Sequence, residues 1–279
     1  MREIVSPLSG FGSPFGRRRR ADPFAALIST LGDGAAQLIA HPLEYGSMFQ
    51  DRAGTTPVTE PGQLVGHVLD AGPGGYHATA ISDAARGIFR DEGGFRYIEY
   101  NGVNTAYQTP ALPAPGVDKA QVFAGVRKLS DAANAKLVGL SSVAPVNNGS
   151  FAIRAPSANG AENITFQSRG TTTTDAVGNG FPALDPYVVT GLGDISGDTA
   201  TLRVDGTQAA QSTLDQGTGN YNPSGTYPLF YGARGGTSLF FNGNHYATLG
   251  PIVRFSAANA SAAQIEAAEA FYTERTEGL

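Results

Sequence analysis

Residues 201–212 read "TLRVDGTQAAQS". Two runs of β-forming residues flank Asp205-Gly206. A two-residue link between antiparallel strands needs positive φ, which Asp and Gly tolerate, so the stretch predicts a β-hairpin with Asp205-Gly206 at its tip. Outward from it, short apolar runs recur, each bounded by Gly, Pro, Asn or Ser. They predict strands over 96–100, 120–128, 136–141, 150–155, 163–168, 187–191, 199–204, 207–212, 229–232 and 246–255. Many short strands at regular spacing point to an all-β sandwich or jelly roll. The 37 glycines among 279 residues supply its turns.

Two helices flank this block. Asp22-Pro23 reads as an N-cap followed by Pro at the first helical position. Phe24, Leu27, Ile28 and Leu31 then repeat at helical spacing, and Gly32-Asp33-Gly34 ends the run. Near the other end, Ser261 and Gln264 have the spacing of a capping box, and Ile265, Ala268, Phe271 and Tyr272 make one apolar stripe. A helix over 262–276 is predicted to close against the sandwich. The chain divides into an extended arm (1–20), a short helix and linker (21–45) and the sandwich with its closing helix (46–279).

The front end reads "SPLSGFGSPFGRRRR" over residues 6–20. It lacks the apolar core and small-residue cleavage site of a secretory leader. Pro7, Gly10, Gly12, Pro14 and Gly16 rule out a helix. Two readings stand: a disordered tail, or an arm that orders on another subunit. In the second, Pro7, Leu8, Phe11, Pro14 and Phe15 are anchors, and Arg17, Arg18, Arg19 and Arg20 meet an acidic partner surface.

Charged residues make up 15% of the chain and the net charge is −5. Four arginines with no aromatic platform, ahead of an acidic chain, argue against a nucleic-acid face. Cysteine is absent, which excludes disulfides, thiolate metal sites and a thiol nucleophile. No apolar run is long enough to insert in a membrane as a helix. His67 and His77 are ten apart, which is no metal-ligand spacing, and with His41 and His245 they read as satisfied or surface residues. No nucleophile elbow, P-loop or dinucleotide fingerprint occurs.

Four stretches carry a resemblance: "MFQDRAGTTPVT" (48–59), "GQLVGHVLDAGPGGYHAT" (62–79), "VVTGLGDISGDTATLRVDGT" (188–207) and "LFYGARGGTSLFFNG" (229–243), followed by "GPIVRFS" (250–256). Together they resemble phage and prophage virion proteins with a concanavalin A-like, laminin-G-like jelly roll. The likeness runs from about Leu38 to the C-terminus. His41, Leu43-Glu44 and Tyr76 depart from the family's usual pattern. The resemblance implies a concanavalin A-like jelly-roll sandwich in a structural virion component: a tail, fibre, spike or capsid-decoration protein. Such a subunit is assembled in the host cytoplasm, anchored by its arm in a symmetric homo-oligomer beside other virion subunits, and displays the jelly roll outward. The alternative is a glycan-binding receptor module for host attachment, with a cell-surface glycan as partner. A polysaccharide-degrading enzyme is the third reading. Concanavalin-like glycosidases carry two carboxylates at alternating positions of one strand. That pattern is missing here, and the nearest cluster is Asp91-Glu92 with Glu99, so no enzyme activity is expected.

Laminin-G-like domains also suggest calcium at the sandwich rim as the sole candidate cofactor. Asp194, Asp198 and Asp205 are the candidate ligands, with self-capping of their own loops as the favoured reading. Tyr76, Tyr97, Tyr100, Tyr107, Tyr221, Tyr227 and Tyr231 are candidates for a sugar-stacking platform, and Tyr221 and Tyr227 join the aspartates as candidate rim-loop ligand residues. The absence of tryptophan counts against such a platform.

Overall fold

A computed structural model describes residues 22–144 and 146–277. The arm residues Pro7, Leu8, Phe11, Pro14, Phe15 and Arg17 to Arg20 lie outside the described residues. Nineteen strands are described, in chain order. The first eight are β1 (Ala35–Ile39), β2 (Met48–Phe49), β3 (Leu64–Val65), β4 (His67–Val68), β5 (Ala78–Ala80), β6 (Gly87–Glu92), β7 (Phe95–Asn101) and β8 (Tyr107–Gln108). Next come β9 (Lys119–Lys128), β10 (Lys136–Leu140), β11 (Ser150–Arg154), β12 (Asn163–Arg169), β13 (Thr173–Asn179) and β14 (Pro186–Asp194). The last are β15 (Thr199–Val204), β16 (Thr207–Ser212), β17 (Leu229–Tyr231), β18 (Asn242–Tyr246) and β19 (Ile252–Ser256).

They form two antiparallel sheets packed face to face as a jelly-roll sandwich. The ten-stranded sheet runs β16-β15-β14-β9-β18-β7-β6-β3, with β19 also on β9 and β1 on β19. The nine-stranded sheet runs β13-β12-β11-β10-β17-β8-β5-β4-β2. Alternate residues of each strand enter the shared core: Val122, Ala124 and Val126 from β9, Val189 from β14, Ile164 and Phe166 from β12, Phe151 and Ile153 from β11. At Gly191 a Cβ would lie 2.4 Å from the Phe166 ring, so only glycine fits there.

The hairpin forms as read. Val204 pairs with Thr207, and Asp205 and Gly206 take φ of 48° and 76°. The run 246–255 is not one strand but two. Ala247 adopts φ 64°, and the chain leaves the sheet to bond residues 41 and 43 before β19 begins. β18 and β19 then share one edge of β9 end to end. A strand also occupies the stretch read as linker: β1 pairs with β19, its alternation masked by the alanines at its start. The short β2 to β5 and the small-residue strand β13 were equally hidden.

Helix α1 (Pro23–Gly32) starts as predicted, with the Asp22 carboxylate accepting from the Phe24 N–H. Helix α2 (Ala262–Thr273) opens on the Ser261–Gln264 capping box. Both lie on the outer face of the ten-stranded sheet, where Phe24, Leu27, Leu31, Phe271 and Tyr272 pack on Phe123, Val188 and Ile252. Each such side chain contributes about 1.5–3 kcal/mol on burial, which anchors helices too short to persist alone. Among the described residues no helix is long and apolar enough to cross a membrane.

Candidate functional site

The helices cover only part of that outer face. Beyond the start of α2, strands β14 to β16 lie bare, and the Asn259-Ala260 turn walls a cleft of about 210 Å³ against them. One cross-strand row forms its floor: Gln121 on β9 faces Leu192 on β14, which faces Thr201 on β15, which faces Gln211 on β16. All four sit on outward positions because their neighbours in sequence fill the core. Thr199, Asp194 and Asn259 complete the lining.

The polar groups are oriented from behind. Gln121 Oε1 accepts from Arg254 Nη1 at 2.8 Å and from Ser256 Oγ at 3.2 Å. Gln211 Nε2 donates to Thr201 Oγ1 at 3.2 Å. Asn259 Nδ2 donates to Asp194 Oδ2 at 3.0 Å. Each carboxamide is thus held at one end. The Gln121 amine and the Gln211 and Asn259 carbonyls have no partner among the described residues. Lys119 Nζ sits 2.8 Å from both Asp118 and Asp194. Burial works against the charge on Asp194, but hydrogen bonds from Lys119, Asn259 and the Gly197 N–H hold its carboxyl below the ordinary value. The cleft therefore offers a fixed set of mixed donors and acceptors around one apolar side chain, with its only carboxylate already neutralised.

Of the sequence candidates, Asp194 alone reaches this cleft. Asp198 lies in the same turn, where it accepts from the Gln216 N–H at 2.9 Å. Asp205 is at the other end of β15, six residues away, about 20 Å at 3.3 Å per residue. Its carboxylate accepts from the Val188 N–H at 2.8 Å. One cation cannot bridge the three, and each aspartate caps backbone or pairs with lysine instead. Among the described residues no group of three acidic or histidine side chains is arranged to hold a metal.

The tyrosine platform is not assembled. Tyr97, Tyr100, Tyr107, Tyr221 and Tyr231 are buried, with Tyr221 stacked between Phe151 and Phe255 and its hydroxyl 2.6 Å from Ser168 Oγ. The hydroxyls of Tyr100 and Tyr107 donate to main-chain carbonyls of Leu249 and Val65. A phenol can enter a core when its hydroxyl finds such a partner, and that is where the sequence spent these rings. Tyr227 is half-buried and donates to the Asn148 carbonyl at 3.2 Å.

Glu99 and Asp91 are held in ion pairs with Arg90 (2.9 Å) and Arg96 (3.2 Å). His67 and His77, ten apart in sequence, meet ring to ring at 5.5 Å across β4 and β5. His67 Nδ1 contacts Thr79 Oγ1, and His77 Nδ1 accepts from the Asp70 N–H. His245 departs from the expectation of a satisfied histidine. It is buried between Tyr100 and Phe241 with neither ring nitrogen bonded, and burial pushes its pKa down to about 3.

Gln121, Thr201, Gln211 and Asn259 escaped the sequence reading. The available signal was neutral polar residues on outward positions of three strands that proved to be neighbours.

No known protein family's sequence profile matches the chain, and no curated protein matches it. Solved structures do. The binding domain of botulinum neurotoxin DC in complex with SialylT aligns at a TM-score of 0.52 and 9% identity, over 88% of this chain and 53% of that one. Domain 4 of AbnA, an extracellular arabinanase from Geobacillus stearothermophilus, in complex with arabinotriose, aligns at 0.51 and 13% identity, over 78% of this chain and all of that one (100%). The NanB sialidase of Streptococcus pneumoniae aligns at 0.40 and 17% identity over 53% of this chain, which spans only 23% of that chain's length. At these identities the first two likenesses establish the jelly-roll fold.

Proposed function

We propose that this protein is a glycan-binding jelly-roll module, and that it serves as a displayed structural subunit of a bacteriophage virion. The observation that carries the first part is the cleft at Asn259: three carboxamides, each tethered at one end and free at the other, around Leu192. Sugar hydroxyls both donate and accept, and a rigid mixed set of partners is what discriminates among them. Two of the structural neighbours, the neurotoxin binding domain and the arabinanase domain, are described in complex with SialylT and with arabinotriose, which supports the reading by analogy of fold. No carboxylate pair faces the cleft, so the reading is of binding and not of hydrolysis. The second part rests on the four sequence stretches that resemble virion proteins and on the composition of residues 1–20.

The test is a glycan array followed by calorimetry on the full chain. Binding of an oligosaccharide that weakens about tenfold or more in Gln211→Ala and Asn259→Ala is expected, since each removes a hydrogen-bonding partner. An array with no hits, or affinity indifferent to both changes, overturns the glycan reading. For the virion part, particles assembled with the chain lacking residues 1–20 should exclude it. Incorporation at normal copy number would reduce the arm to a tail.

A further inference from the structure

The opposite outer face, on the nine-stranded sheet, carries a second cross-strand row. Lys136 on β10 faces Arg154 on β11, which faces Thr165 on β12, which faces Val177 on β13. The register shifts between Lys136 and Val138, and the lysine side chain runs beside Gly139. The lysine then lies under loop residues 141–144, and its Nζ donates to the Ala144 carbonyl. Gly235, next to Arg234, packs on the backbone of Ser142 in the same loop, which brings a third cation to the spot.

These cations are poorly compensated. Lys136 is 2% exposed and its ammonium has no carboxylate partner among the described residues. Arg154 reaches Asp175 only at 3.4 Å and the Ser157 carbonyl at 3.3 Å, and its Nε is buried with no partner. The Arg234 guanidinium has no partner among the described residues. Asp175 is already bonded by Gln167 Nε2 at 2.8 Å. Thr165 Oγ1 and Gln167 Oε1, in the same patch, are buried without partners.

Elsewhere among the described residues the buried cations are matched. Lys128 Nζ has Asp131 at 2.5 Å, the Phe181 carbonyl at 2.5 Å and the Asn163 carbonyl at 3.4 Å. Arg254 has four acceptors within 2.8 Å. Leaving buried charge unmatched is costly, and burial together with Arg234 and Arg154 lowers the Lys136 ammonium to a pKa of about 7.

We infer that this patch is a binding site for the acid group of an anionic saccharide, contacted by Arg154 and Arg234 at the surface and supported by Lys136 beneath them. An arriving carboxylate supplies the missing charge, and guanidinium groups suit its planar geometry. The saccharide part rests on the glycan reading proposed above. The anion part stands on the cations alone.

The test is calorimetry on the full chain with a panel of carboxylate sugars (galacturonate trimer, glucuronate, N-acetylneuraminate), their neutral counterparts and sodium sulfate. Arg154→Met and Arg234→Met are each expected to weaken a carboxylate sugar about tenfold or more, as loss of a charge-assisted contact does. Thermal melts confirm that each variant is folded, and Arg234→Met is safe on that count, since Arg234 bonds Ser238 and Thr237 through its main chain alone. Gln211→Ala in the other cleft should leave this binding intact. No carboxylate sugar bound, or binding unchanged in Arg234→Met, overturns the inference. Binding lost in Gln211→Ala alone also overturns it and favours the first cleft. Sulfate bound as tightly as any sugar and lost in the same variants overturns the saccharide and leaves the glycan reading to its own test.

Discussion

Two rows of four residues cross the outer faces of this sandwich. Gln121, Leu192, Thr201 and Gln211 cross the helix-bearing sheet, and Lys136, Arg154, Thr165 and Val177 cross the open one. The first row is neutral, with Gln121 tied down from behind by Arg254 and Ser256 and Gln211 by Thr201 within the row. The second is cationic and has too few carboxylates. The difference teaches that polarity on a sheet face is not one property. A saturated row positions groups for hydroxyls, whereas an unsaturated one stores a demand for opposite charge. The helices create the contrast, because the carbonyls of Leu31 and Asp33 reach Arg254 only since α1 docks there.

The largest expected effect breaks the saturated side. Arg254→Ala strands two main-chain carbonyls and leaves Gln121 held by Ser256 alone, and should cost about 4 kcal/mol of unfolding free energy in denaturant titration. A loss below about 1 kcal/mol would mean that water replaces the guanidinium freely and that the row is not held from behind.

The opposite sign is expected on the other side. Lys136 titrates at about 7 in the fold and at 10.5 in its unfolded reference. Between those values the unfolded chain holds more protons, so the native state gains stability as pH rises from 7 to 10.5, and the full penalty is present below 7. At neutral pH, Lys136→Met removes that penalty and orphans the Ala144 carbonyl, for a net gain of roughly 3 kcal/mol. The variant should be more stable, should lose the pH 7–10.5 rise, and should bind carboxylate sugars worse. Destabilisation would show that the ammonium is better compensated than its contacts suggest.

Smaller still, Ser261→Ala deletes the cap of α2 and should cost about 1 kcal/mol, read as a fall in melting temperature. It also tests whether the start of α2, which walls the first cleft through Asn259, moves the cleft's affinity. Last, Arg234→Met should shift stability by under about 0.5 kcal/mol, since an unpaired half-buried arginine supports nothing in the fold. A larger loss would reveal a structural task and weaken its assignment to a ligand.

Much of this architecture is legible in the residues. Asp205-Gly206 announces its hairpin because turn chemistry is local, and the same holds for the caps at Asp22 and Ser261. Ala35–Ile39 and Thr173–Asn179 are not legible, because small residues suit a strand only once a neighbour covers them. The candidate sites are less legible than the fold. Gln121 and Gln211 are 90 positions apart and meet only through register. Tyr221 looks like an exposed ring in the string "GNYNPSG", yet only the sheet stacking shows that it is interior. Lys136 reads as an ordinary polar start to a strand until a bulge and a loop bury it.

The docking of α1 on α2 has a mechanical side. Phe24 and Phe271 stack at 5.6 Å, and Asp22 and Arg275 line the same hollow. Residues 22 and 275 therefore sit at one corner of the molecule. Tension applied between them would peel one helix from the other before it sheared any ladder of the two sheets. The same closeness means that a short linker could join the two points and the chain could be reopened elsewhere, such as at Asp205-Gly206, with the sandwich intact.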